Sequence, residues 1–205
     1  MTVVAGYIRM LLKERAGPLS DDQRKLLQEA EKSCGRLSGL VAELSDLANL
    51  EAGTVPVAKT PIDINTLLTE VITVLPAMTD REIRVELQGH SGPVTVMADA
   101  PRLRAALSAI VSCMRRELVT SDALFVRCST LPDGSTCAIA IGDAEGLEKL
   151  DRAAATDLGL FDEWRGGCGL SLAIARRTVA AHGGGIWSPV DGSKLAAVVH
   201  LPLPR

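Results

Sequence analysis

The N-terminal quarter of the chain places its apolar residues in a helical pattern. An apolar segment at residues 2–11 is followed by a Gly-Pro break, and Ser20 with Gln23 then forms the capping-box pattern that begins a helix. From there, apolar or small residues recur alternately three and four apart, which is the spacing of a coiled-coil seam. The seam consists of Ala30, Ser33, Leu37, Leu40, Leu44 and Leu47.

The apolar stripe of this long helix is wider than a two-helix seam, because Leu26, Val41 and Ala48 flank it. Such a stripe suits a helical hairpin that dimerises into a four-helix bundle. The alternative is a hairpin that packs against a second domain of its own chain. We expect a homodimer, since a single hairpin would leave the stripe in water. The predicted dimer contacts are Leu37, Leu40, Leu44 and Leu47.

A change of composition after Gly53 marks a domain boundary, because prolines and β-branched residues dominate residues 55–61. Helical and strand patterns then alternate, which predicts a two-layer α/β sandwich. The predicted domains are a hairpin at 1–53 and a sandwich at 54–205. The predicted elements are a helix capped by Asp63 or Asn65, a strand, turn and strand over 82–98, a helix from Asp99 to near Leu118, two strands joined by a turn over 124–141, a helix around 147–154, a helix over 170–181 and a strand from Ile186.

Composition narrows the functional classes. The net charge is −3, aromatic residues make up 2% of the chain and there is no basic cluster, which argues against nucleic-acid binding. No apolar run approaches the length of a membrane span and no signal peptide is evident, so we expect a cytoplasmic protein. The cysteines show no Cys-x-x-Cys spacing, and we interpret them as reduced thiols that form no zinc site. They are Cys34, Cys113, Cys128, Cys137 and Cys168.

The stretch from Phe161 to Trp187 contains the most informative motif. Gly167 and Gly169 precede an apolar helical segment, so backbone N–H groups at the start of this helix could approach an anion. His182 and three glycines then form a helix C-cap. The glycine pair alone fits equally well a tight loop that packs a helix on a sheet.

This stretch resembles the C-terminal half of a histidine kinase ATP-binding domain. The order of elements over nearly the whole chain resembles a two-component transmitter region, in which a dimerisation and phosphoacceptor hairpin precedes a histidine kinase-like ATPase domain of the Bergerat type. The resemblance implies ATP and Mg²⁺ as cofactors, and a response-regulator receiver or partner kinase as binding partner. It also implies that Asp143, Gly146, Gly167 and Gly169 contact any nucleotide.

The phosphoacceptor histidine of that family has no counterpart on the first helix here. Its motif would fall before Met1, so either the chain has lost the residue or the chain is part of a longer protein. The histidines present are His90 in a turn, His182 at a helix end and His200 in the last strand. We expect all three to be structural, with His182 favoured by the helix dipole.

The nucleotide motifs also depart from the family pattern. Cys113 occupies the place of the Mg²⁺-ligating asparagine, and a neutral thiol is a poor ligand for this hard ion; we expect a small buried side chain. A second asparagine of the family pattern, upstream of the first, is replaced by Ala109 in this chain. Asp143 is retained, but Glu145 replaces or displaces a glycine, and we favour a helix-capping role for Asp143. The lid is short, and Ser171 replaces its third glycine.

These departures lead to three hypotheses and favour the first and the third over the second. The first is a dimeric docking or phosphorelay module for receiver domains that does not use ATP. An alternative is an ATP-dependent sensor kinase whose phosphoacceptor lies upstream of the chain. Another is a pure interaction protein that sequesters a kinase or receiver through its helix faces.

Overall fold

The computed structural model describes residues 2–54, 56–78, 81–88, 92–190 and 196–204. The chain forms two compact units, Met1–Ala48 and Asn49–Arg205. The predicted domain ranges, 1–53 and 54–205, remain a prediction. Within the described residues, no helix is both long and apolar enough to cross a membrane.

The first unit is helical, as predicted. Helix α1 spans Thr2–Leu12 and helix α2 spans Asp21–Glu51. The capping box at the start of α2 is present: the Ser20 amide donates to Gln23 Oε1 at 2.9 Å, and the Gln23 amide donates to Ser20 Oγ at 3.2 Å. Gly53 follows the helix with a φ of +64°, a conformation that glycine adopts at little cost.

The apolar stripe of α2 is accessible in the single chain. No described residue of α2 is buried, and the side chains of Leu37, Leu40 and Leu44 are 52%, 51% and 58% exposed. Leu47 is partly exposed. Contiguous exposed apolar surface of this kind marks interaction sites. The four-helix bundle therefore remains a prediction with an available surface.

The second unit is an α/β sandwich. The elements are β1 (Thr60–Asp63), α3 (Ile64–Thr73), β2 (Arg84–Gln88), β3 (Thr95–Ala98), α4 (Ala100–Glu117), β4 (Ala123–Thr130), β5 (Thr136–Gly142), α5 (Ala144–Arg152), β6 (Leu158–Leu160), α6 (Ser171–Ala181), β7 (Gly185–Pro189) and β8 (Ala196–Pro202). In the described part of the chain, a six-stranded sheet has the order β2-β4-β5-β8-β7-β6, in which β2 and β4 run parallel and the other neighbours antiparallel. A separate two-stranded antiparallel sheet pairs β1 with β3. The predicted fold class is confirmed.

The core lies between α3, α4 and α6 and the large sheet. Helix residues such as Leu68, Leu107 and Val179 share one apolar cluster with strand residues such as Ile139 and Val199. Burying each such side chain stabilises the fold by roughly 1.5–3 kcal/mol. The core thus fixes the faces of α4 and α6 that position the candidate site.

The two strands predicted over 82–98 exist as β2 and β3, and they lie in different sheets. Strand β2 joins the large sheet beside β4, and β3 pairs with β1. The cause is local to α3, because the Val94 amide donates to Asp63 Oδ1 at 3.1 Å and the Ile64 amide donates to the Val94 carbonyl at 2.9 Å. The expected turn containing His90 lies outside the described residues.

The end of α6 corrects the expectation for His182. This buried ring accepts a hydrogen bond from the Asp99 amide at Nε2, 2.9 Å, and its Nδ1 lies 2.7 Å from the Thr178 carbonyl. Only a neutral imidazole makes both contacts, because Nε2 must accept while Nδ1 donates. His182 is structural as predicted, but it acts through hydrogen bonds and not through charge at the helix end.

Candidate functional site

Asp143 and Gly146 form one half of the predicted nucleotide site. Asp143 follows β5, is 8% exposed, and accepts a hydrogen bond from the Gly146 amide at 2.8 Å. Asp143 is therefore the N-cap of α5, and Gly146 lies within the first turn of that helix. This arrangement matches the capping role that we favoured for Asp143, and Gly146 is helical where the resemblance implies an open turn.

Gly167 and Gly169 lie in the segment before α6. Their φ angles are +60° and +61°, and a Cβ at either position would meet open space. Positive φ at these positions would strain other residues, so glycine is needed there for the backbone conformation and not for close packing. We refer to residues 161–170, which contain both, as the glycine segment.

Cys113 and Cys168 correct the expectation that all five cysteines are reduced. They form a disulfide with Cα atoms 6.0 Å apart. Cys113 is fully buried on α4, as predicted, and Cys168 is partly buried between the two glycines. Fifty-five positions separate them, so their spacing carried no signal. Closing a loop of this size restricts the unfolded chain, a contribution on the order of 4 kcal/mol in the entropic treatment.

A buried ion pair holds the same segment to the same helix. The Arg165 guanidinium donates through Nε to Glu117 Oε2 at 2.7 Å and makes a second contact through Nη2. The two side chains are 6% and 15% exposed. Arg165 also lies over the ring of Phe161, with Cζ 5.1 Å from the ring centre. Removing one partner of such a pair costs roughly 3–5 kcal/mol.

Glu163 fastens the glycine segment to α6. Its buried carboxylate accepts hydrogen bonds from Arg176 at 2.9 Å and from Arg177. Arg177 also donates to Glu51 at 3.0 Å. Burial acts to lower the pKa of Arg177, but the two carboxylates outweigh it and raise that pKa above its ordinary value. The segment is thus bound to both helices by charged groups.

A second cysteine pair lies in the sheet and stays unlinked. The sulfur atoms of Cys128 and Cys137 are 3.6 Å apart and both residues are buried. The hydrogen bond to Cys128, together with burial, raises the pKa of Cys137. The same bond lowers the pKa of Cys128 against the effect of burial. Cys34 is a free, partly exposed thiol on α2.

The structure groups the predicted residues in two sets. Asp143 caps the helix that contains Gly146, while Gly167 and Gly169 flank Cys168, which is bonded to Cys113. Sequence reasoning missed Glu117, Glu163 and Arg165. The sequence carried no signal for them, because the charged residues Glu163 and Arg165 are buried while the apolar Trp164 between them is exposed.

Comparisons with known proteins agree with this architecture. Residues 1–53 match the family described as the His Kinase A (phospho-acceptor) domain. The chain is 26% identical over 194 residues to the circadian input-output histidine kinase CikA of Synechococcus elongatus, covering 91% of this chain and 26% of the relative. It is 26% identical over 217 residues to the sensor histidine kinase GacS of Pseudomonas protegens, covering 98% of this chain and 23% of the relative. The chain therefore spans about a quarter of the length of these relatives.

Solved structures share the fold. Full-length ShkA in complex with AMPPNP matches with a TM-score of 0.71 at 23% identity, over 99% of this chain and 43% of the other. The histidine kinase AdeS of Acinetobacter baumannii matches with a TM-score of 0.65 at 20% identity, over 100% and 95%. Residues 1–53 thus match the His Kinase A family, and the chain as a whole is similar in sequence to histidine kinases and shares the fold of their solved structures.

Proposed function

We propose that this transmitter region works in two-component signalling as a dimeric docking or phosphorelay module that does not use ATP. Its partner is a response-regulator receiver domain, and its compartment is the cytoplasm. The His Kinase A match at residues 1–53 supports the signalling role. The proposal concerns this region, because the relatives that it matches are about four times its length.

One observation carries the absence of ATP use. Cys113, at the place where the kinase resemblance puts a Mg²⁺-ligating asparagine, is bonded to Cys168. Mg²⁺ requires oxygen ligands in near-octahedral geometry, and a disulfide sulfur supplies neither the charge nor the hardness. The residues present therefore do not fit a Mg²⁺-nucleotide, and no step of the proposed function is routed through one.

The adenine side of the predicted pocket supports the same conclusion. One carboxylate oxygen of Asp143 accepts from the Gly146 amide, which makes Asp143 a helix cap. Glu145, which replaces or displaces a glycine of the family pattern, lies in the first turn of the same helix and pairs with Lys149 at 3.1 Å.

The helical unit supports the docking part of the proposal. The exposed stripe of α2 includes Leu37, Leu40 and Leu44 and offers a surface for a second copy of the chain. The polar remainder of the helix stays accessible to a receiver domain. Phosphorelay additionally requires an acceptor histidine, which α1 and α2 lack.

A second candidate is an ATP-dependent kinase, and the fold match to ShkA, which was solved with AMPPNP, favours it. The positive φ angles of Gly167 and Gly169 leave that backbone free of side-chain obstruction. In this alternative, the disulfide would have to be absent in the active state.

Calorimetric titration with Mg-ATP and Mg-ADP separates the two candidates. We expect no saturable heat up to about millimolar nucleotide, both in oxidising buffer and in buffer with a dithiol reductant. A Kd weaker than about 1 mM corresponds to a binding free energy above about −4 kcal/mol. An intact histidine kinase domain is the positive control. Saturable one-to-one binding that Asp143→Asn weakens about tenfold, while Asp133→Asn in the β4–β5 turn leaves it unchanged, would establish the kinase alternative.

A further inference from the structure

The glycine segment is attached to α4 by one covalent and one ionic contact of very different chemistry. Cys168 is linked to Cys113, and Arg165 is paired with Glu117 one helical turn further along α4. The ionic contact persists whatever the redox state of the solution. The covalent contact depends on the redox state of the solution, because a thiol reductant breaks a disulfide.

We propose that Cys113 and Cys168 form a redox-controlled latch. In the oxidised state the disulfide holds the glycine segment on α4 and covers the face of the helix at Cys113. In the reduced state the part of the segment around Cys168 is released and opens locally, while Arg165 stays paired with Glu117. The latch goes beyond the proposed docking function and does not depend on whether a nucleotide binds.

The two ends of the bond are suited to different parts in the exchange. Cys168 is partly exposed and therefore accessible to a thiol, whereas Cys113 is fully buried. Gly167 and Gly169 lie on either side of Cys168 with positive φ, and glycine rotates between backbone regions at little steric cost. The chain around Cys168 can thus move away from α4 once the bond is broken.

The buried Cys113 also has a hydrogen-bond acceptor for its thiol after reduction. Cys113 Sγ lies 3.7 Å from the Arg165 carbonyl oxygen, which can accept a hydrogen bond from the thiol. A buried polar hydrogen with an acceptor in place carries little desolvation cost. Both redox states of Cys113 are therefore compatible with the packing of α4.

The exchange balances with a dithiol as the reductant. A thiolate of the dithiol attacks Cys168 Sγ, the bond to Cys113 breaks, and the electron pair leaves on Cys113 sulfur, which takes up a proton. The second thiol of the reductant then attacks the mixed disulfide, forms the reductant's own disulfide and releases Cys168 as a thiol. Two electrons and two protons pass to the protein, and an external disulfide such as oxidised glutathione reverses the reaction.

The proposed cytoplasmic compartment distinguishes this disulfide from a purely structural one. In a compartment kept reducing, such bonds are usually transient or redox-sensing. The pair Cys128 and Cys137 offers the contrast, since both thiols are buried in the sheet and stay unlinked.

Hydrogen exchange measured by mass spectrometry tests the latch. The full chain is equilibrated with oxidised glutathione or with a dithiol reductant, and the cysteine state is verified by alkylation under denaturing conditions. We expect amides around Cys168, within residues 166–170, to exchange at least about tenfold faster in the reduced protein, while the strands β5 and β8 are unchanged. Cys113→Ser with Cys168→Ser should show the fast exchange in both buffers.

Cys128→Ala is the matched control, because it removes a buried thiol away from the glycine segment and should retain the redox response. The proposal is overturned if Cys113 and Cys168 are both alkylated after equilibration of the folded chain with oxidised glutathione. It is equally overturned if the disulfide forms but reduction leaves exchange in residues 166–170 unchanged. The calorimetric titration in reducing buffer measures nucleotide binding without the disulfide, so failure of the latch can be distinguished from failure of the proposed function.

Discussion

Single side chains in this protein take roles that their neighbours decide. Asp63 shows this clearly: burial acts to raise its pKa, but hydrogen bonds from Thr66 and from the amides of Val94 and Asn65 outweigh burial and lower it. The sequence suggested Asp63 only as one of two possible helix caps. Its bond to Val94 also fixes the start of β3, a role that arises from the fold.

His200 gives a pH-dependent prediction at the same scale. Burial lowers the pKa of this ring, which lies 4.8 Å from the ring of Trp187. The unfolded chain then binds a proton more readily than the folded chain, so stability falls as pH decreases below about 6.5, the ordinary histidine pKa, and continues to fall until the folded pKa is reached.

We expect His200→Phe to flatten this part of the stability curve. The measurement is the urea midpoint of both proteins between pH 8 and pH 5, with the slopes compared pair by pair so that the other titrating groups cancel. Parallel curves for the two proteins across that range would contradict the assignment.

At the scale of elements, the ends of helices carry the contacts that organise the second unit. Helix α6 ends at His182, whose ring joins Thr178 to the amide of Asp99 at the start of α4. Gly183 follows with a φ of +82°. A single hydrogen bond thus connects the C-cap of α6 to the N-cap of α4.

His182→Ala tests this connection. It leaves the Asp99 amide without its acceptor and opens space in a buried position, and we expect a loss of about 1–3 kcal/mol in the free energy of unfolding. Denaturant titration at constant pH gives the value, and hydrogen exchange at the start of α4 should accelerate in the same variant. A loss below about 0.5 kcal/mol would show that the connection is replaceable, for instance by water.

At the scale of the whole molecule, the apolar stripe of α2 governs the expected assembly. The stripe is exposed in the single chain, and burying it in a dimer would remove several leucines from water. The chain mass is 21.6 kDa, so the dimer and the single chain are readily separated by light scattering.

Leu44→Glu should convert a dimer into single chains, because it would bury a charge in the seam at a cost of several kcal/mol. Ser38→Glu is the matched control: it adds the same charge to α2 at an exposed position outside the seam and should leave the mass unchanged. An unaltered mass for Leu44→Glu, or a wild-type protein that is a single chain at all concentrations, would refute the bundle.

Much of the fold could be predicted because its signals are local. The structure confirms the capping box at Ser20, the helix that begins at Asp99 and the turn before Thr136. The partners of β2 and β3 were not predicted, since each strand pairs with a segment that is distant along the chain. The dimer contacts at Leu37, Leu40, Leu44 and Leu47 remain a prediction.

The sequence by itself determined the fold class, the helical unit and the resemblance to histidine kinase transmitter regions, because periodicity, caps and glycine positions act over a few residues. The tertiary structure alone decided the state of Cys113 and Cys168, the ion pair of Glu117 with Arg165 and the role of His182. Each of these contacts joins residues about 50 or more positions apart, and only the packing of α4, α6 and the glycine segment brings them within bonding distance.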